Sequence, residues 1–306
     1  MKPARIKPGD LVGVVSTSSP VTEDKLARLV GYLEGRGHPV RLADGVLDAH
    51  GHVAGSAERR AAGVMAMFTD PDVRLVLPAG GGSGAAHLVD LLDYDAIRAN
   101  PKVFTGFSNP TALGNAILTR AGLPNVHGTA GFQFFDPQVE PWTEEEFWTI
   151  VTGPITGREL AGEGWRVHRA AGSVSGRVVG GNLPSILPLL GTQWMPSTAG
   201  AILLLEAQRA SFAEIDSWLT HLRLLGMFDG IAALVIGAPA DWEVGSVADP
   251  GVDELVLRCV GGDFPVITNV PYGHQRRRIQ FPLGCRVEFD LRTDPPALRY
   301  LEDLVA

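Results

Sequence analysis

The feature that most restricts the fold is an alternation of short apolar runs with stretches at helical spacing. Leu11-Val12-Gly13-Val14-Val15 is nearly continuous in apolar character, the pattern of a strand covered on both faces. Thr22 then offers an N-cap, with Leu26, Leu29, Val30 and Leu33 at helical spacing and Gly35 and Gly37 beyond them. The alternation repeats with a strand near 39–42, a helix near 56–68 and a strand near 73–77. Strands that alternate with helices imply a doubly wound parallel sheet with ligands at the carboxyl ends of its strands.

Two loops at such carboxyl ends can carry chemistry. Gly80-Gly81-Gly82-Ser83-Gly84 is a flexible turn whose backbone N–H groups are free to converge on an anion. A dinucleotide reading needs an acidic residue at the end of the next strand, but that strand ends in Ser108-Asn109, while Asp93 and Asp95 fall too early. The second loop lies in Val103-Phe104-Thr105-Gly106-Phe107-Ser108-Asn109-Pro110-Thr111, which reads as strand, tight turn and helix with Ser108 at the apex. A serine there projects from the sheet edge as a nucleophile does. The plainer alternative makes Ser108 or Asn109 an N-cap and Pro110 the first helical residue. The helix should run to about Thr119, followed by a strand near 123–127.

Composition excludes several partners. The 306 residues carry a formal net charge of −8 and no basic stripe, which argues against a nucleic-acid or anionic-membrane surface. The two cysteines, Cys259 and Cys285, have no metal-type spacing. His50 and His52 could begin a metal site, but no further ligands cluster near them, so no metal is expected. Residues 1–10 have no apolar core of signal-peptide length, and no run reaches the roughly 18 apolar residues of a membrane span. A cytoplasmic chain is the expectation.

Three segments are expected: an α/β domain over 1–140 carrying the nucleophile, a connection over 141–175 with one helix, and a β-rich α/β domain over 176–306. In the last, residues 201–205 form a buried strand ending at Glu206, and Ser211-Phe212-Ala213-Glu214 is a capping box. Considered alone, Glu206 reads as a strand-end residue facing water. Further strands are expected near 231–236, 265–270, 286–291 and 297–301. Pro271-Tyr272-Gly273-His274 follows the second of these. Ser108, Glu206 and His274 would then supply nucleophile, acid and base, each just beyond a strand, a set defined by geometry whatever its chain order. His127 at a strand end is left outside this set as a structural histidine.

Leu91-Leu92-Asp93-Tyr94-Asp95-Ala96-Ile97, Gly106-Phe107-Ser108, Gly180-Gly181-Asn182-Leu183, Leu205-Glu206, Gly273-His274 and Pro282-Leu283-Gly284 together resemble the LD-carboxypeptidase family, which includes the microcin C self-immunity peptidases. The motifs fall in order across nearly the whole chain. The resemblance implies a Ser-Glu-His serine peptidase with a flavodoxin-like N-terminal α/β domain, no cofactor, and a homodimeric assembly. Backbone N–H groups of Asn109 and of the Gly81-Gly82 turn are expected to form the oxyanion site.

This chain departs from the family pattern in two places. Asn109 stands where many members have aspartate, and Ala79 precedes the glycines where arginine is frequent, with no tyrosine among them. An exopeptidase needs a cation for the substrate's free carboxylate, and Arg276, Arg277 and Arg278 are the candidates. Three functions follow. The first is release of terminal D-alanine from a cell-wall tetrapeptide through an acyl-enzyme. The second is cleavage of an aminoacyl-nucleotide analogue, with Trp142, Trp148 or Trp165 stacking on the base. The third is a noncatalytic small-ligand-binding α/β protein.

Overall fold

A computed structural model describes residues 1–169, 172–242 and 251–306. The chain opens with β1 (Leu11–Val15), α1 (Glu23–Gly35), β2 (Val40–Leu42), α2 (Ala57–Thr69), β3 (Val73–Pro78), α3 (Tyr94–Ala99), β4 (Val103–Phe104), α4 (Thr111–Ala121) and β5 (Asn125–His127). Thr22 and Ser56 cap α1 and α2 by accepting from Lys25 and Arg59 N–H groups, which satisfies donors that the first helical turn leaves unpaired. Strands β2-β1-β3-β4 form a parallel sheet. A parallel bridge from Thr105 to Val126 carries that order on to β5. Val12, Val14, Leu75 and Leu77 are fully buried, as an apolar run covered on both faces requires.

The rest comprises α5 (Pro141–Thr152), β6 (Glu159–Ala161), β7 (Arg166–His168), β8 (Ser173–Asn182), α6 (Leu183–Ile186), β9 (Ile202–Glu206), α7 (Phe212–Leu224), β10 (Ala233–Gly237), α8 (Val252–Val260), β11 (Val266–Val270), β12 (Phe281–Leu283), β13 (Arg286–Asp290) and β14 (Ala297–Tyr300). Eight of these strands make a second sheet in the order β6-β14-β13-β8-β9-β10-β11-β7. Its centre, β8 to β11, is parallel, while both flanks are antiparallel. The capping box at Ser211 and Glu214 opens α7 as expected.

The segment 141–175 does more than connect. It supplies α5 and both edge strands of the second sheet, β6 and β7. These edges are three residues long, too short to show the sustained alternation that marks a half-buried strand. The amphipathic helix α8 was also not anticipated. The two halves share strands as well, since β12 pairs antiparallel with β5. Asn115 on α4 further grips the Gly180 backbone at both ends, donating to its carbonyl at 2.8 Å and accepting from its N–H at 3.2 Å.

Candidate active site

The parallel strands of both sheets deliver their carboxyl ends to one cavity of about 700 Å³, lined by Gly80, Gly81, Gly82, Ser108 and His274 among others. Chemistry rather than size singles it out. A cleft of about 850 Å³ beside Lys2, Arg177 and Glu302 holds none of Ser108, Glu206 or His274.

Ser108 stands between β4 and α4 with φ 58°. For a residue with a side chain this left-handed conformation costs about 1–3 kcal/mol, so its neighbours must hold it. Gly106 donates to Val126 O at 2.8 Å, and Thr111 N–H closes onto Ser108 O at 3.0 Å. A side chain at Gly106 would come within 3.0 Å of Pro110 O, so the approach to the turn has no room for one. The plain capping alternative fails. Pro110 occupies the N-cap position of α4, no side chain caps it, and Asn109 Oδ1 instead accepts from Ala85 N–H at 2.8 Å. Asn109 thereby ties the serine turn to the segment after the glycine loop.

Gly81 packs directly on the serine. A Cβ there would lie 3.0 Å from both Ser108 Cβ and Oγ. Among the described residues no hydrogen bond consumes the N–H of Gly81, Gly82 or Asn109. The loop is braced from behind by Ser19, which donates its N–H to Gly81 O at 3.2 Å and accepts from Ser83 N–H at 3.1 Å. Gly82, at φ 110°, leaves no space for a Cβ, which would sit 2.2 Å from Ser19 Oγ.

Glu206 corrects an expectation. It is the strand-end residue expected, the last of β9, but it is 2 % exposed and not turned to water. Both carboxylate oxygens are engaged. Oε2 meets His274 Nδ1 at 2.8 Å and accepts from His274 N–H at 3.3 Å, while Oε1 accepts from Asn182 Nδ2 at 2.8 Å. Burial alone would raise its pKa, but the facing His274 and the Asn182 bond outweigh this and hold it below the ordinary carboxylate value. Gly273 permits the contact, since a Cβ there would fall 2.4 Å from Glu206 Oε2. With Nδ1 committed to the carboxylate, Nε2 is the imidazole nitrogen left for chemistry.

Ser108 and His274 line the same cavity, and Phe107 beside the serine lies against the His274 ring at 4.6 Å between centroids. Among the described residues no hydrogen bond joins Ser108 to His274. His127 is fully buried between Thr111 Oγ1 and Tyr272 OH, each at 2.9 Å. Desolvation lowers its pKa to about 4, so it is a neutral strut that joins α4 to the loop before His274.

The tryptophans do not reach this cavity, contrary to the base-stacking expectation. Trp148 is stacked on His38 at 5.0 Å, Trp165 packs on Phe289, and Trp142 lies under Arg277. Phe107 and Phe132 are the aromatic residues that line it. The three arginines separate too: Arg276 and Arg278 line the cavity, whereas Arg277 turns to Trp142 and Glu140. No group of three or more metal-binding side chains occurs among the described residues, so His50 and His52 gain no partners. Asn182 and Ser19 were missed as site residues. Asn182 sits in the Gly180-Gly181-Asn182-Leu183 motif, the signal by which it could have been found.

Residues 12–128 match the LD-carboxypeptidase N-terminal domain, and residues 175–289 match the LD-carboxypeptidase C-terminal domain. The chain belongs to the LD-carboxypeptidase family. A Streptomyces coelicolor protein named as a carboxypeptidase is 35% identical over 310 residues, covering 97% of each chain. The Escherichia coli microcin C7 self-immunity protein MccF is 28% identical, covering 92% of this chain and 91% of its own. MccF in an inactive mutant apo state has the same fold, with a TM-score of 0.89 at 25% identity over 100% of this chain and 99% of that one. The muramoyltetrapeptide carboxypeptidase of Oxalobacter formigenes shares the fold at a TM-score of 0.85 and 24% identity, over 97% of this chain and 100% of that one. Membership in the LD-carboxypeptidase family makes this chain a hydrolase of the carboxypeptidase type. No helix among its described residues is long and apolar enough to cross a membrane.

Proposed function

We propose that this LD-carboxypeptidase is a serine peptidase in which Ser108 is the nucleophile, His274 the base and Glu206 the acid. Its substrate would be a cell-wall tetrapeptide from which it releases the terminal D-alanine. The observation that carries the reading is the buried Glu206–His274 pair, with its 2.8 Å bond, opening on the cavity that Ser108 lines. Ser108 Oγ attacks the amide carbonyl while His274 Nε2 takes its proton. The tetrahedral oxyanion is stabilised by backbone N–H groups of Asn109 and the Gly81-Gly82 turn. His274 then gives the proton to the leaving amine, and the acyl-enzyme is hydrolysed by a water that His274 deprotonates. Glu206 stays ionised and stabilises the imidazolium.

The similarity to MccF favours a second substrate for the same chemistry, an aminoacyl-nucleotide analogue. A hydrolysis panel decides between the two by comparing an L,D-tetrapeptide with aminoacyl sulfamoyl adenosines. D-alanine release at the higher kcat/KM supports the first reading, and the reverse ranking replaces it with the second. Turnover of neither, with no labelling by a serine-reactive phosphonate, would leave a noncatalytic ligand-binding protein. Cytoplasmic location and a homodimer belong to the same proposal and are checked by fractionation and by sedimentation.

A further inference from the structure

Arg278 is 2 % exposed yet poorly partnered. Nη1 donates to Gly273 O at 3.4 Å, a long contact, while buried Nε and Nη2 have no hydrogen-bond partner. A buried donor without a partner is costly, more so in a charged group. Nε and Nη2 form one edge of the guanidinium, the edge that holds a carboxylate by two parallel bonds. The neighbouring anion does not serve them, since the Glu206 carboxylate is hydrogen-bonded to His274 and Asn182 and makes no bond to Nε or Nη2.

Position adds a second argument. Arg278 lines the cavity that Ser108 and His274 line, and its guanidinium lies 5.0 Å from the centre of the Phe107 ring. That ring is next to Ser108 in sequence and against His274 in space. Lys25, Arg209 and Arg276 also line the cavity, against the carboxylates of Asp136 and Asp241. Among the described residues this lining carries more positive than negative side chains, in a chain whose formal net charge is −8. Burial lowers the Arg278 pKa to about 10, with Glu206 and Asp136 opposing, so the group is charged at neutral pH.

We propose that the unpaired Nε–Nη2 edge of Arg278 receives the free carboxylate of the substrate's terminal residue, on the leaving-amine side of the scissile bond. This rests on the peptidase reading above and deepens it. The site would then require a substrate ending in a free acid, and the cation comes from the segment after His274, not from the glycine loop.

The test compares one tetrapeptide as its free acid and as its C-terminal carboxamide. Wild type should favour the acid by about 100-fold in kcat/KM, the scale set by a charge-assisted bidentate contact. Arg278→Met should bring the two substrates to within about threefold, mostly through the acid, and Arg278→Lys should fall between. An equal fall on both substrates with their ratio unchanged would overturn the inference and make Arg278 a packing residue. Thermal melting separates this from misfolding, and the ratio within one variant is independent of the folded fraction. Calorimetric binding of both peptides to Ser108→Ala protein gives a readout free of turnover. If wild type cleaves neither peptide, tighter binding of the acid that Arg278→Met abolishes upholds the carboxylate site while the peptidase reading falls. Equal binding of acid and amide refutes the site.

Discussion

The Ser108 turn and the Glu206–His274 pair meet at one cavity but are built on opposite principles. Ser108 is held in a strained backbone conformation by backbone bonds and by glycines that leave no space beside it. Glu206 and His274 are held by side-chain hydrogen bonds in a buried environment, with Asn182 orienting the carboxylate. The turn is half-exposed, whereas the carboxylate is buried. His274 is therefore positioned by Glu206 without help from Ser108. The two halves are kept in register by links away from the reacting atoms, namely β5 with β12, Asn115 with Gly180, and Thr111–His127–Tyr272.

The largest effects should come from dividing the two regions. Ser108→Ala and His274→Ala should each lower kcat by about 10⁴-fold or more, while the fold survives. The double variant should be no more than about threefold below Ser108→Ala, because residues acting as a unit are non-additive. Multiplying losses would mean that the two regions do not cooperate. Glu206→Gln keeps the shape and removes the charge, so a loss of about 10³-fold is expected, smaller than either of the others.

Gly81→Ala sharpens the comparison on the serine side. Its Cβ would crowd Ser108 Oγ at 3.0 Å, so kcat should fall about 10- to 100-fold with little change in melting temperature. A large fall in melting temperature instead would place the glycine's role in folding.

The smallest effect concerns His127. Its pKa is about 4 in the fold against 6.5 in the unfolded chain, so below pH 6.5 the unfolded chain takes up a proton that the folded protein refuses. Stability should fall as pH drops from 6.5 toward 4, by at most about 1.4 kcal/mol per pH unit. The groups around it are Thr111, Tyr272, Glu206, His274 and Arg278. Chemical denaturation across this range should show a shallower slope in His127→Gln than in wild type. Equal slopes would show that His127 does not titrate as a buried neutral strut.

Much of this was legible in the residues. Leu11–Val15 and Val73–Pro78 read as strands because both faces are buried, and Ser211 with Glu214 announced α7 by local chemistry. Such signals lie within a few residues of one another. The three-residue edges β6 and β7 were not legible, because pairing with distant strands defines them. Glu206 was misread in isolation, since its burial depends on His274, 68 residues away. Only packing could separate Arg278 from Arg276 and Arg277, or show that Trp148 stacks on His38 away from the cavity.

The most direct test of the central claim, that the Glu206–His274 pair activates Ser108, is covalent labelling with a fluorophosphonate followed by peptide mass spectrometry. The account predicts a single adduct on Ser108, absent in Ser108→Ala and formed at least about 100-fold more slowly in His274→Ala. An adduct on another residue, or labelling of Ser108 at the same rate without His274, would contradict it.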